Sequence, residues 1–350
     1  MEFALYDQTF GYYARAAQRS GRAGDFFTSV DVGALFGELL AAQLDEMFHI
    51  LHASDCDLQP SDFDLVEAGA GNGRLSADIL RALRDRHPAL YPHVRLHLIE
   101  ASAAAREAQR ATLGDVRDRL SSASGLLPDS FEGVLVANEL LDAFPVHQVV
   151  MREDGLKETY VAGARRTIEG PPSTPELEGY LDRLGVRLEP GWRVEINLRA
   201  VDWIRDAAQR LTRGFIILID YGHEARELYS ASHAHGTLTT FSGHRTDIAQ
   251  GAAPWLEHPG EQDITAHVDF TSVRDAAEAA GLTTIAFLDQ TYFVLGLVSA
   301  WNGAALAERA RALKTLLVPG GLGSTHKVMI FGKGVGTPAL LGCSFGVRVT

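Results

Sequence analysis

Cysteine is scarce: Cys56 and Cys343 are the only two in 350 residues, far apart and without a CxxC pairing. That excludes a disulfide framework and a cysteine-built zinc site, and it suits unpaired thiols in a reducing compartment. Long apolar runs are also missing. None reaches the roughly 18 residues that would cross a bilayer, so no membrane insertion is expected. The opening stretch Met1-Glu2-Phe3-Ala4-Leu5-Tyr6-Asp7 has no basic n-region and no apolar h-region, which argues against a secretory signal. With no targeting segment either, the sequence reads as cytoplasmic. Basic charge is the minority, with 32 Lys and Arg against 45 Asp and Glu and a net charge of -13. Nucleic-acid affinity rests on clustered Lys and Arg, so no nucleic-acid partner is expected.

What is present is an ordinary globular composition, 46% hydrophobic and 22% charged. The length allows one large domain with an insertion, or two domains. The Tyr-, Gly- and Arg-rich first thirty residues read as ordered loop, and Val32 to Ile50 places Leu35, Phe36, Leu39, Leu40 and Leu44 on one helical face. Strand and helix patterns then alternate. Strands are expected at Phe63–Glu67, Val94–Glu100, Gly133–Asn138 and Gly214–Asp220, with helices after the first two. Such alternation predicts a parallel, doubly wound α/β sheet. Val146–Val150 and Lys157–Ala162 suggest a hairpin within an insertion over about 146–194, capping the sheet. A lid loop is expected over about 223–265, and Thr291–Leu297 with Lys327–Phe331 as a C-terminal antiparallel strand pair. The last dozen residues read as loosely held. The organisation expected is an N-terminal loop and helix over 1–60, a main domain over 61–335 and a tail over 336–350.

The sharpest local signal is Glu67-Ala68-Gly69-Ala70-Gly71-Asn72-Gly73, between a strand and a helix. Gly69, Gly71 and Gly73 let the backbone turn and a ligand approach the helix N-terminus. The spacing is GxGxG rather than the GxGxxG of dinucleotide sites. Glu67 suits a site holding a sulfonium and an amino group. Glu100, 27 residues past Gly73, stands where a carboxylate accepts both ribose hydroxyls. Asn138-Glu139-Leu140-Leu141-Asp142 emerges at the end of another strand, where ligands of open α/β sheets bind. Glu139 and Asp142 there suit a cationic acceptor, and Asp220 ends the next strand. His267 and Asp269 share one face of an extended segment, with Asp263 nearby; His267 is a candidate proton relay. Arg245 is a candidate anchor for a carboxylate. His233-Ala234-His235 lacks a third ligand at a defined spacing, so no metal is expected.

An ordered series carries a resemblance. Gly24-Asp25-Phe26-Phe27-Thr28-Ser29, the glycine stretch, Asn138 to Pro145, Asp220-Tyr221-Gly222, Gly243-His244-Arg245 and Pro259 to Phe270 follow one another. The chain resembles the MidA family of methyltransferases, which includes the mitochondrial complex I assembly methyltransferase. The resemblance runs from about residue 4 to about residue 335. It departs at the glycine stretch, where many members have Glu-Leu-Gly-Pro-Gly and this chain has Ala68 and Ala70. It implies a Rossmann-like class I methyltransferase fold and S-adenosylmethionine as cofactor. Thr28, Glu67, Gly69, Gly71, Gly73, Glu100 and Asn138 are then expected at the cofactor, and Glu139, Asp142, Asp220 and His267 at the chemistry. It also implies arginine methylation of a protein substrate, with a respiratory-complex subunit as the partner class. The alternatives left open are a small-molecule O- or N-methyltransferase and a non-catalytic, S-adenosylmethionine-binding assembly factor. A nicotinamide oxidoreductase is opposed by the glycine spacing. Oligomeric state is not legible.

Overall fold

The computed structural model describes residues 1–14, 28–53, 62–163, 166–242, 245–246, 254–299, 301, 303–317 and 325–345. Cys56, Gly24 to Phe27, Gly243 and His244 lie outside the described residues. The chain opens with α1 (Glu2–Tyr6) and α2 (Leu35–His52). It continues through β1 (Phe63–Ala68), α3 (Arg74–Arg86), β2 (Val94–Ile99), α4 (Ala103–Leu113), β3 (Leu120–Ser124) and β4 (Phe131–Asn138). Next come β5 (His147–Arg152), β6 (Gly155–Val161), β7 (Thr167–Gly170), α5 (Glu176–Arg183), β8 (Arg193–Ile196) and α6 (Leu198–Arg210). The long β9 (Leu211–His223) is followed by α7 (Ala225–Leu228), β10 (Thr239–Ser242), β11 (Arg245–Thr246), β12 (Asp263–Thr265) and β13 (Val268–Asp269). The last elements are α8 (Phe270–Ala279), β14 (Thr283–Asp289), α9 (Gln290–Val298), α10 (Gly303–Leu317) and β15 (His326–Lys333).

The main sheet runs β14-β15-β9-β4-β1-β2-β3. β9, β4, β1, β2 and β3 are mutually parallel, and β15 joins antiparallel to both β9 and β14. This is a Rossmann-like α/β architecture. Its strands are apolar because helices cover both faces. In β9, Phe215, Ile217 and Ile219 enter one core cluster with α2, α3 and α9, while Ile216 and Leu218 enter the other with α5, α6 and α8. Burial of each such side chain contributes roughly 1.5–3 kcal/mol. Gly133 and Gly214 face each other across β4 and β9, and a Cβ on Gly214 would fall 1.9 Å from the Gly133 carbonyl oxygen.

The antiparallel pair differs from expectation. Thr291–Leu297 is helical, within α9, and β14 just before it pairs with β15. The stretch is apolar on nearly every side, so it has no period to separate a buried helix from a strand. β3, sequence Leu-Ser-Ser-Ala-Ser, carries no apolar run because it is the sheet's edge. The expected helix on 32–50 forms as α2, buried along Leu35, Phe36, Leu39, Leu40 and Leu44. Between β4 and β9 the chain builds a four-stranded antiparallel sheet, β7-β6-β5-β8. Its β5–β6 hairpin turns at Glu153-Asp154, with Arg152 opposite Gly155. Residues expected to trail loosely instead pack on α2: Leu340 is buried, the Gly342 amide donates to Gln43 Oε1 and the Leu341 amide to Glu46 Oε2. No helix among the described residues is long and apolar enough to cross a membrane.

Candidate functional site

β1 is flanked by β2 on one side and β4 on the other, so strand order reverses there, and a crevice opens beyond the strands' carboxyl ends. A cleft of about 460 Å³ lies at that point, bordered by Gly69, Glu100, Glu139, Phe144 and Trp203, with Tyr6 and Tyr13 from the N-terminal segment. The glycine turn is closed by two bonds to one carbonyl: the amides of Gly69 and Ala70 both donate to Ile99 O, at 2.9 and 3.0 Å. Gly69, Gly71 and Gly73 have φ of +73°, +50° and +84°, a region that favours glycine. A Cβ on Gly69 would press Leu140 Cδ1 at 3.1 Å, whereas one on Gly71 would meet nothing within 4 Å. Among the described residues the backbone at Gly71 is therefore bare, as a closely approaching ligand requires.

Glu100 borders this opening in a fixed pose. Its Oε2 accepts from the Gly71 amide at 2.9 Å and its Oε1 from the Ser102 amide at 2.7 Å. Each oxygen keeps a second lone pair. Glu67, by contrast, is buried and turned toward α3, where its Oε2 accepts from both the amide and the hydroxyl of Ser76. Burial raises its pKa to about 7. Glu67 thus anchors the first turn of α3 behind the glycine turn, and it does not border the cleft.

The second wall comes from the turn after β4. Glu139 has φ of +52°, rare for a residue with a side chain, and its amide donates to Ile219 O. Asp220 holds this turn from β9. Its Oδ2 accepts from the amides of Leu140, Leu141 and Asp142, and its Oδ1 from that of Tyr221. Burial raises the Asp220 pKa to about 7, with the Glu139 charge adding to it against the pull of the amides. Asp142 is buried; its Oδ2 accepts from the Tyr221 hydroxyl and its Oδ1 has no partner among the described residues. Burial, then Asp220, push its pKa well above the carboxylate range. Glu139 alone of the three acids faces the cleft. Its Oε1 receives the Asn138 amide side chain at 3.2 Å and the Ser29 backbone amide at 3.4 Å. Thr28 caps the short 3-10 turn that presents Ser29, through a reciprocal pair with Asp31.

The structure thus gathers Gly69, Glu100 and Glu139 on the cleft, with Gly71 beside it and Asn138 one hydrogen bond behind Glu139; Thr28 bonds Asp31 and precedes Ser29, and Gly73 packs toward Leu98 and Gln109. It does not bring Glu67, Asp142, Asp220 or His267 there. The His267 ring lies 5.8 Å from that of Tyr221 and 5.3 Å from that of His223. Burial, then His223 and His233, lower its pKa to about 4. Asp269 caps α8 and accepts from the Tyr180 hydroxyl. Arg245 contributes backbone to β11, and its side chain lies outside the described residues. Sequence reasoning missed the aromatic lining of Tyr6, Tyr13, Phe144 and Trp203. The tyrosines left a signal in the aromatic-rich N-terminal stretch; Trp203 on α6 left none that separates it from core.

Residues 39–288 match a family model described as "Putative S-adenosyl-L-methionine-dependent methyltransferase". The chain belongs to this family. It is 30% identical over 308 residues to the protein arginine methyltransferase NDUFAF7, mitochondrial, of Mus musculus, covering 79% of this chain and 65% of that protein. The Homo sapiens counterpart is 27% identical over 314 residues, covering 79% and 64%. This chain thus spans about 65% of the length of the first curated relatives it matches. A crystal structure from Burkholderia thailandensis, of a "likely methyl transferase" bound to S-adenosyl-homocysteine, is 31% identical with a TM-score of 0.85, over 99% of this chain and 90% of that one. The S-adenosylmethionine-dependent methyltransferase fold and family expected from the resemblance therefore hold. The cytoplasmic location does not, because the curated relatives are named as mitochondrial proteins. An opening without a targeting pattern carries no weight against them.

Proposed function

We propose that this chain transfers a methyl group from S-adenosylmethionine to an arginine side chain of a protein, with a respiratory-complex subunit as the partner class. The observation that carries the reading is the pairing, across one cleft, of a glycine turn fixed to Glu100 with the acid Glu139. The names of the curated relatives supply the acceptor.

The residues present fit the cofactor: Gly71 leaves the backbone open, and the free lone pairs of Glu100 suit a ribose diol. When bound, S-adenosylmethionine supplies an electrophilic methyl on a sulfonium. The C–S bond would break as the C–N bond forms, with S-adenosylhomocysteine leaving as a neutral thioether and the guanidinium's displaced proton passing by way of Glu139 to water. Positioning supplies much of the rate in such a displacement. Glu139, held by Asn138 and Ser29, grips the guanidinium and aims one nitrogen, as a carboxylate does in a bidentate pair. Asp220 and the Asp142–Tyr221 pair act as positioning residues that hold the turn carrying Glu139. Tyr6, Phe144 and Trp203 border the cleft and give it apolar surface.

The test couples calorimetric titration with S-adenosylmethionine to transfer of a labelled methyl onto arginine-bearing peptides. Glu100→Ala is expected to weaken cofactor binding by about tenfold or more. Glu139→Gln is expected to keep binding and lose turnover. Absence of cofactor binding, or label recovered only outside arginine, refutes the reading.

A further inference from the structure

Three histidines that are distant in sequence meet outside the cleft. His223 ends β9, His233 closes a 3-10 turn at Ala231–His233, and His267 lies between β12 and β13. One ring nitrogen from each lies within 4.8 Å of the other two. The ring centroids are 4.8 Å apart for His223 and His233 and 5.3 Å for His223 and His267. We propose that His223, His233 and His267 form a binding site for a divalent transition-metal ion of the zinc class, which clips the 224–238 segment to the end of β9.

The surroundings of each ring are those of a ligand. His233 Nδ1 is engaged by the Glu227 carbonyl oxygen at 3.0 Å, which leaves its Nε2 with the lone pair. His223 Nδ1 stands 3.0 Å from Glu227 Oε1, at ion-pair distance but outside hydrogen-bond geometry, so a small turn of either side chain would complete the carboxylate–histidine pairing that orients metal-bound imidazoles. His267 Nδ1 is buried with no hydrogen-bond partner among the described residues, which points to a ligand it could take. The backbone beneath is rigid. β13 pairs with β9 so that Val268 opposes Gly222 and Asp269 opposes His223, and a Cβ on Gly222 would fall 2.1 Å from Val268 O. The His267 amide is also held by Thr237 Oγ1. Tetrahedral zinc needs nitrogens about 3.3 Å apart, given bonds of about 2.0–2.1 Å, so binding would draw the three rings together by up to about 1.5 Å. Among the described residues no fourth donor joins the three, so water completes the shell. Imidazole sets of this kind suit Zn2+ over Mg2+ or Ca2+. The site is independent of the methyl-transfer reading.

The experiment uses the full chain without a histidine tag, stripped with chelator, then titrated with Zn2+ by calorimetry and with Co2+ by visible absorption. One ion per chain is expected, with a tetrahedral Co2+ spectrum and a higher Tm in Zn2+. His233→Ala, a change at a partly exposed turn, should weaken Zn2+ binding at least about tenfold, while His235→Ala binds as the parent does. Equal affinity in the parent and His233→Ala overturns the assignment. So does a parent chain without tetrahedral Co2+ absorption, a readout that needs no variant to fold.

Discussion

The Tyr221 hydroxyl donates to Asp142 Oδ2, joining the strand β9 to the turn that follows β4. Asp142 is buried and Tyr221 half-buried, and the second oxygen of Asp142 has no partner among the described residues, so this one bond carries the carboxyl's satisfaction. Tyr221→Phe and Asp142→Asn are each expected to lower kcat while leaving S-adenosylmethionine affinity unchanged. A double-mutant cycle should show coupling of at least about 1 kcal/mol, because the bond is the one side-chain hydrogen bond to the buried Asp142 carboxyl among the described residues. Additive effects on kcat refute the pairing as a positioning device.

Asp220→Ala removes the acceptor for three amides of the Glu139 turn and should destabilise the fold by about 2–4 kcal/mol. Asp220→Asn keeps an acceptor oxygen and should cost less than half as much. Chemical denaturation of the two variants side by side checks the order.

Two glycines separate binding from folding. Gly71→Val places its branches where no described residue stands within 4 Å, so it should abolish cofactor binding, with only the positive-φ cost of about 1–2 kcal/mol in stability. Gly133→Ala drives a Cβ to 2.2 Å from Asp64 O inside the sheet and should destabilise by several kcal/mol. Calorimetric titration and thermal melts of both variants settle it; a Gly71→Val protein that binds like the parent removes the glycine turn from the site.

Glu67 gives a pH signature. Its folded pKa, raised to about 7 by burial, lies above the ordinary value of 4.5. The unfolded chain therefore loses this proton first, and stability falls as pH rises from about 4.5 to about 7, then levels. His267, held near 4, works the other way, costing stability as pH falls from about 6.5 toward 4. Glu67→Gln keeps an acceptor for Ser76 and should make the first slope shallower by a few kcal/mol at most, the remainder belonging to Asp220 and Asp142, whose pKa values burial also raises. Urea unfolding at several pH values reads both.

The strands with buried faces were legible because Gly133–Asn138 and Gly214–Asp220 are apolar runs next to turn residues, and the glycine turn because GxGxG follows one of them. β3 was not, since an edge strand needs no apolar run, and α9 was mistaken for a strand because burial on all sides erases its period. Within the site, Glu100 and Glu139 were identified by their place at strand ends. The same rule picked Glu67 and Asp220, whose side chains turn back to bind Ser76 and the 140–142 amides. Position along a strand names the residue that ends it; it does not say which way its carboxylate turns. The histidine cluster escaped because its members, at 223, 233 and 267, share no spacing and are joined only by the pairing of β13 with β9.

Glu139 occupies left-handed backbone that a glycine would adopt without strain. Most replacements there inherit the strain, and glycine relieves it only by deleting the carboxylate on the cleft. Selection for robustness alone would drift the position toward glycine, so a glutamate there measures how strongly function outbids stability. Laboratory evolution for heat resistance without an activity screen should find Glu139→Gly early, and should lose the cleft's acid in the same step.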